Sequence, residues 1–235
     1  MNSIFKLKHF QIVQNQKVHK VGTDALILSA LLKLESPKQI LDVGCGTGIL
    51  SLICAQKFSE AQIHAIDICK ESIEICKLNF NQSLWSERLD CLETSFLNYS
   101  TELKFDCIIS NPPFYIENTL SPLASRVQQR NSISLDLRAF LNQSKKLLHQ
   151  DGIIWLIIPS TRSNELKKIT QQIDLSISHE IVVNGQPEKP KRVVFGLRNQ
   201  KIIRRRIKEL TIRDSNGNYT NQYKVLTMEL HDRKI

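Results

Sequence analysis

The chain has 235 residues, 41% of them hydrophobic and 23% charged, the proportions of a globular protein with one substantial core rather than of a disordered or fibrous chain. Lys and Arg number 32 against 23 Asp and Glu, and the formal charge of +9 favours an anionic partner without identifying it. The longest apolar run, residues 153–158, is far short of the roughly 18 residues that span a bilayer, and Lys6, Lys8 and His9 break the first stretch before a secretory signal can develop, so neither membrane insertion nor secretion is expected.

Residues 1–37 stand apart from the rest of the chain. They hold one helix, from about Asp24 to Leu34, opened by Gly22-Thr23-Asp24, a set that suits a helix start and could touch a ligand there. From residue 38 to 160 apolar strands alternate with helical patterns, the mark of βαβ units. A strand at Gln39–Val43 meets a glycine-rich turn and then a helix carrying Ile49, Leu50, Leu52 and Ile53; a second strand, Gln62–Ile68, comes next. A helix with Ile73, Cys76 and Phe80 on one face leads to a third strand around Leu89–Leu92, and Phe105–Ser110 is the fourth. After an interval from Tyr115 to Ser134, helical spacing returns over Ser134–Leu148, Asp151-Gly152 separates it from a strand at Ile153–Ile158, and a further helix spans about Ser163–Ile173. Strands near Ile177–Val183, Arg192–Leu197 and Val225–Leu230, with a turn at Asn216-Gly217, read as antiparallel strands closing one edge. The expectation is an α/β, doubly wound fold: a seven-stranded, mostly parallel sheet with an antiparallel edge strand, in one domain over 1–235, with 1–37 covering the ligand site of a core at 38–235.

Six cysteines, at 45, 54, 69, 76, 91 and 107, form no C-x-x-C pair and have mostly apolar neighbours, so they read as buried, reduced thiols of a cytoplasmic protein. The six histidines show no ligand spacing, and no metal is expected.

Asp42-Val43-Gly44-Cys45-Gly46-Thr47-Gly48 lies between the first strand of the βαβ run and its helix, where a doubly wound sheet places its ligand crevice. Glycines at alternate positions allow a tight turn and a close approach to the backbone. A dinucleotide turn wants its third glycine one residue later, and no Lys-Ser or Lys-Thr follows Gly48 as a nucleoside-triphosphate loop requires. Asp42 suits a cationic ligand instead. Asp67 ends the second strand, where an acid can accept hydrogen bonds from both ribose hydroxyls.

Asn111-Pro112-Pro113-Phe114 comes after the fourth strand and so shares the carboxyl edge with the glycine turn. The prolines hold the backbone extended and donate no hydrogen bond. The Asn111 side-chain oxygen and the Pro112 carbonyl can each accept one hydrogen of a primary amine conjugated to a planar ring, turning its lone pair toward an incoming electrophile. Phe114 would stack against that ring.

The glycine turn together with Asp67 resembles the class I S-adenosylmethionine-dependent methyltransferases, with their Rossmann-like fold. The motif at 111–114 resembles the branch that methylates planar amines: adenine N6 of DNA and RNA, guanine N2 of ribosomal RNA, and the glutamine amide of release factors. Lys20-Val21-Gly22-Thr23-Asp24-Ala25, residues 109–115, Arg126 and Arg130, Ser132–Leu137 and Pro190-Lys191-Arg192-Val193 are together similar to the bacterial tRNA1(Val) adenine-N6 methyltransferase family, over nearly the whole chain. The resemblance implies S-adenosylmethionine as cofactor, tRNA as partner and the adenosine just 3′ of the anticodon, adenosine 37, as target. It places Thr23 and Asp24 near the methionine moiety, the glycine turn of Gly44, Gly46 and Gly48 beneath it, and Asp67 on the ribose. At the adenine amino group it expects an acid, where this chain has Ser95, with the Phe96 backbone N–H serving the ring. Ser95 Oγ accepts one hydrogen bond at best, so weaker cofactor affinity is expected. Lys189, Lys191, Arg192, Arg204, Arg205 and Arg206, with Arg126 and Arg130, are candidates for the phosphates flanking a flipped base. Competing expectations are guanine-N2 methylation of ribosomal RNA, release-factor glutamine methylation, and a catalytically silent RNA-binding module.

Overall fold

Five strands share one direction because each is joined to the next by a crossover on the sheet's face. In a computed structural model, which describes residues 2–16, 18, 20–112, 136–203 and 205–232, these are β3 (Gln39–Val43), β4 (Gln62–Asp67), β5 (Leu89–Glu93), β6 (Phe105–Ser110) and β7 (Leu148–Pro159). Two hairpin-linked strands, β8 (Ser176–Gln186) and β9 (Lys189–Arg198), and a last strand, β10 (Arg206–Thr211), complete an eight-stranded sheet in the order β10-β8-β9-β7-β6-β3-β4-β5. Only β9 runs against its neighbours. The Rossmann-like class therefore stands, with two refinements. The sheet has eight strands rather than seven, and the antiparallel strand lies inside it, between β7 and β8, rather than at the edge.

The inner strands read as unbroken apolar runs because both of their faces are covered. On one face Ile40, Ile63, Cys107, Ile109, Trp155 and Val194 pack beneath α1 (Thr23–Leu31), α2 (Ile49–Lys57) and α3 (Lys70–Asn81), with Tyr223 of α6 (Asn221–Thr227). On the other, Leu41, Val43, Ile108, Ile154, Leu156 and Phe195 meet α4 (Leu137–Leu147) and α5 (Ser163–Gln172). Helix α4 buries Leu137, Phe140, Leu141, Ser144 and Leu147, spaced by three and four, and Asp136 caps it by accepting from the backbone N–H groups of Arg138 and Ala139.

Three local expectations change. Asp151-Gly152 lies within β7, not before it; a Cβ at Gly152 would meet the Phe105 carbonyl at 2.8 Å, a close approach that accompanies the register shift between Phe105 and Cys107. Residues 221–227 are helical, in place of the start of a strand near Val225–Leu230: Thr220 caps the helix, and Tyr223 and Thr227 are buried while Val225 is exposed, a period of four rather than two. Residues 1–37 contain, besides the helix, a hairpin of β1 (Ser3–Lys6) and β2 (Gln11–Gln14), each too short for alternation to register.

The turn from α2 into β4 is closed by one side chain. Arg88 donates to the carbonyls of Ala55 (2.7 Å), Phe58 (3.0 Å) and Ala61 (2.6 Å), taking up acceptors that a helix C-terminus leaves open. Arg88→Ala is expected to lower the unfolding free energy by about 2 kcal/mol in urea titration, and Arg88→Lys to recover only part of it, because a single ammonium cannot replace the spread guanidinium fork.

Candidate active site

Strand order reverses between β3 and its two neighbours, β4 and β6, and ligands of such sheets bind outside the carboxyl ends at that point. Val43 ends β3 and pairs in register with Ser110, which ends β6. The Ser110 hydroxyl donates to the Val43 carbonyl at 2.8 Å. The next residues along each chain are Gly44 and Asn111, so the glycine turn and the start of the Asn-Pro-Pro-Phe motif leave the sheet side by side, from strands roughly 4.8 Å apart.

The turn is held from beneath. Gly44 and Cys45 N–H groups donate to the Ile66 carbonyl at 2.8 and 3.1 Å, and Gly48 N–H to the Cys45 carbonyl at 2.8 Å. Asp67 accepts from Gly46 N–H with one oxygen (2.9 Å) and from Cys69 N–H with the other (2.8 Å). Gly44, Gly46 and Gly48 have φ of 73°, 55° and 80°, a region that favours glycine. Their open sides differ. A Cβ on Gly48 would lie 2.7 Å from the Phe80 ring and 2.9 Å from Cys76 Sγ, so that glycine is required by the packing of α2 on α3. At Gly44 and Gly46 no described atom lies within 4 Å of the Cβ position, which leaves the backbone open to a ligand.

Asp42 is wholly buried. Its Oδ2 accepts from the Ser51 hydroxyl (2.6 Å) and backbone N–H (3.1 Å) at the start of α2, while Oδ1 has no partner among the described residues. Burial, only partly offset by the Ser51 bonds, pushes its carboxyl up from 3.8 to about 7. An unpaired carboxylate oxygen behind the turn, with the open face at Gly44 and Gly46, fits a ligand that carries positive charge.

Ser95 precedes a short 3-10 turn, Phe96–Asn98, and its side chain makes no capping bond; Phe96 is buried against Phe140. Asn111 is half-buried and Pro112 buried. Pro113, Phe114, Arg126, Arg130 and Arg204 lie outside the described residues. Thr23 is exposed at the start of α1. Asp24 forms an ion pair with Arg192 Nε at 2.7 Å, which brings together a residue assigned to the cofactor and one assigned to RNA.

The remaining basic candidates divide between two edges. Because β9 is reversed, Lys189, Lys191 and Arg192 at its start lie level with Pro159 and Asn184, on the rim that carries Asn111. Arg206 pairs with His179 near the start of β8, five residue steps below that rim, or about 17 Å. Arg205 is engaged with the buried Glu180, which also binds Lys167 at 2.7 Å. Among the described residues no group of three His, Cys, Asp or Glu side chains is placed to hold a metal, and no helix is long and apolar enough to cross a membrane.

One residue of consequence lies outside the motifs. Asn79 of α3 is buried and bonds both to β2 and to the Thr47 carbonyl in the glycine turn. The sequence does carry a signal for it: it falls three residues after Cys76 and four after Ile75, a polar side chain on an apolar stripe.

The raised carboxyl of Asp42 carries a pH signature. Its contribution to stability is fully present below pH 3.8 and is lost as pH rises through about 7. Asp42→Asn is therefore expected to gain stability relative to the unaltered protein as pH goes from 5 to 8 in thermal unfolding without ligand; a difference independent of pH would contradict the burial argument.

A family model described as "Methyltransferase small domain" matches residues 15–172. A protein of Christiangramia forsetii named tRNA1(Val) (adenine(37)-N6)-methyltransferase is 35% identical over 238 residues, covering 98% of each chain. A protein of the same name from Phocaeicola vulgatus is 31% identical over 231 residues, again covering 98% of each. Among solved structures, one described as a predicted O-methyltransferase from Agrobacterium tumefaciens superposes with a TM-score of 0.67 at 15% identity, over 88% of this chain and 96% of that one, a likeness of fold. With the turn, the rim and these full-length likenesses taken together, the chain belongs to the small-domain methyltransferases, in the family of the tRNA1(Val) (adenine(37)-N6)-methyltransferases.

Proposed function

We propose that this protein methylates the exocyclic N6 amino group of adenosine 37 in tRNA1(Val), the activity in the names of its full-length relatives, and that it works in the cytoplasm, where that substrate is. The observation that carries the reading is the register of Val43 with Ser110, which sets the glycine turn and Asn111 next to each other on one rim. S-adenosylmethionine supplies an electrophilic methyl group on a positively charged sulfur.

In this reading the backbone at Gly44 and Gly46 receives the methionine part, with Gly48 opening α2 beneath it and Asp42 supplying negative charge behind. Thr23 and Asp24 border the same part. Asp67, half-exposed at the end of β4, meets the ribose hydroxyls. Ser95 Oγ and the Phe96 N–H face the adenine. On the substrate side Asn111 Oδ1 and the Pro112 carbonyl accept the two amine hydrogens and hold the nitrogen lone pair toward the methyl group, an acceptor pair fixed before the reaction begins. Pro113 stiffens that shelf and Phe114 stacks on the base. The methylated nitrogen is strongly acidic, and its proton leaves by way of Asn111 to water, so no dedicated base is needed. An anticodon-loop base is unpaired, and extruding it costs less than opening a duplex.

Labelled S-adenosylmethionine and bulk tRNA from a strain lacking this gene should yield labelled N6-methyladenosine on nucleoside analysis; label confined to N2-methylguanosine or to protein glutamine would refute the proposal. Asn111→Ala should lower kcat by about 10² or more while the cofactor Kd stays within about twofold; equal loss of both would show that Asn111 serves the cofactor instead. Charge on the rim should matter and charge on the far edge should not. Lys189→Ala with Lys191→Ala should reduce the slope of log affinity for tRNA against log salt by about 1.4, whereas Arg206→Ala should leave it unchanged.

A further inference from the structure

The side-chain amide of Asn79 uses every hydrogen it has. Oδ1 accepts from Val13 N–H at 2.8 Å, and Nδ2 donates to the Val13 carbonyl at 3.0 Å and to the Thr47 carbonyl at 2.9 Å. These partners fix which end of the amide is oxygen, since two carbonyls face one end and an N–H the other. Both backbone groups of Val13 point away from β1, so Asn79 stands where a third strand would pair with β2. Thr47 lies between Gly46 and Gly48, both at positive φ. Ile66 and Asp67 hold the turn from the β4 side, and Asn79 holds it from α3. One residue further on, Gln14 accepts from Val21 N–H at 3.0 Å, just before α1, whose Asp24 is tied to Arg192 on the substrate-facing rim. A hydrogen-bonded path thus runs from the glycine turn through the N-terminal hairpin toward that rim.

We propose that Asn79 is a positioning residue for cofactor binding: it fastens the β1–β2 hairpin to the Thr47 carbonyl, and the turn keeps its ligand-receiving shape only while the hairpin is docked. This rests on the reading of the glycine turn as the cofactor's seat. The bond to Thr47 is buried and the two to Val13 partly so, and Asn79→Leu removes all three while keeping a side chain of similar size, leaving the Val13 and Thr47 groups without these partners. A role limited to stability would lower the unfolding temperature without changing what the folded fraction binds.

The test is calorimetric titration of S-adenosylmethionine into the full-length Asn79→Leu protein, with Asp67→Ala alongside, at a temperature where circular dichroism shows both folded. The expected result for Asn79→Leu is a Kd raised about tenfold, equivalent to about 1.4 kcal/mol, a KM for the cofactor raised in step, and kcat at saturation within about twofold of the unaltered protein. Unchanged affinity in Asn79→Leu with lost affinity in Asp67→Ala overturns the role of Asn79 alone; unchanged affinity in both overturns the reading of the turn as well. A second measurement needs no substitution. Coupling between sites is reciprocal, so saturating S-adenosylhomocysteine should slow hydrogen exchange at the Val13 amide of the unaltered protein about tenfold, and exchange there at the same rate with and without it would overturn the proposal.

Discussion

Two parallel strands that pair in register must end at the same edge, and most of this molecule's chemistry derives from that constraint on β3 and β6. The chain leaves β3 in one direction, through α2 to β4, and later returns on the other side as β6. A crevice opens where the two paths part, and the side chains there need no long-range search to meet. The Ser110 hydroxyl on the Val43 carbonyl fastens the two ends at the last paired residue. Beyond it each chain is free of the ladder, and each then uses a residue with special backbone properties: glycines at positive φ on one side, Pro112 on the other.

The two acids of the site answer different demands. Asp67 satisfies two backbone N–H groups and remains half-exposed, which leaves it within reach of a ligand. Asp42 is buried with one oxygen bonded and one not, a cost to stability that the Ser51 bonds offset only in part. A ligand that supplied the missing partner would lower that cost and so stabilise the folded protein.

What is legible in the sequence is whatever has a short period or a fixed order. The apolar run at 153–158, the face of Ile73, Cys76 and Phe80, and the strand-turn-helix context of the glycines all depend on neighbours within one turn or one strand. The strand order and the rim position of Asn111 come from the handed connection of parallel strands. What stays hidden depends on partners far along the chain. Asn79 and Val13 are 66 residues apart: the apolar stripe of α3 marks Asn79 as facing inward but does not say which backbone it meets there. The basic residues near the C-terminus read as one patch because a linear count does not say at which end of a strand each one stands. Register does: β9 carries its lysines to the rim at its beginning, and β10 carries Arg206 to the opposite edge. The helix at 221–227 reads as a strand because its seven residues hold too few periods to tell the two apart.

The reversal of β9 has one more consequence. In the parallel strands the chain reaches the reactive edge at a strand's end and must leave by a helix, so extra residues there would disturb the layers. The link between β8 and β9 reaches the same edge as a bare two-residue loop, Pro187 and Glu188, flanked by exposed lysine. It is the place on this scaffold where an insertion would extend the rim while the layers of sheet and helix beneath it stay as they are.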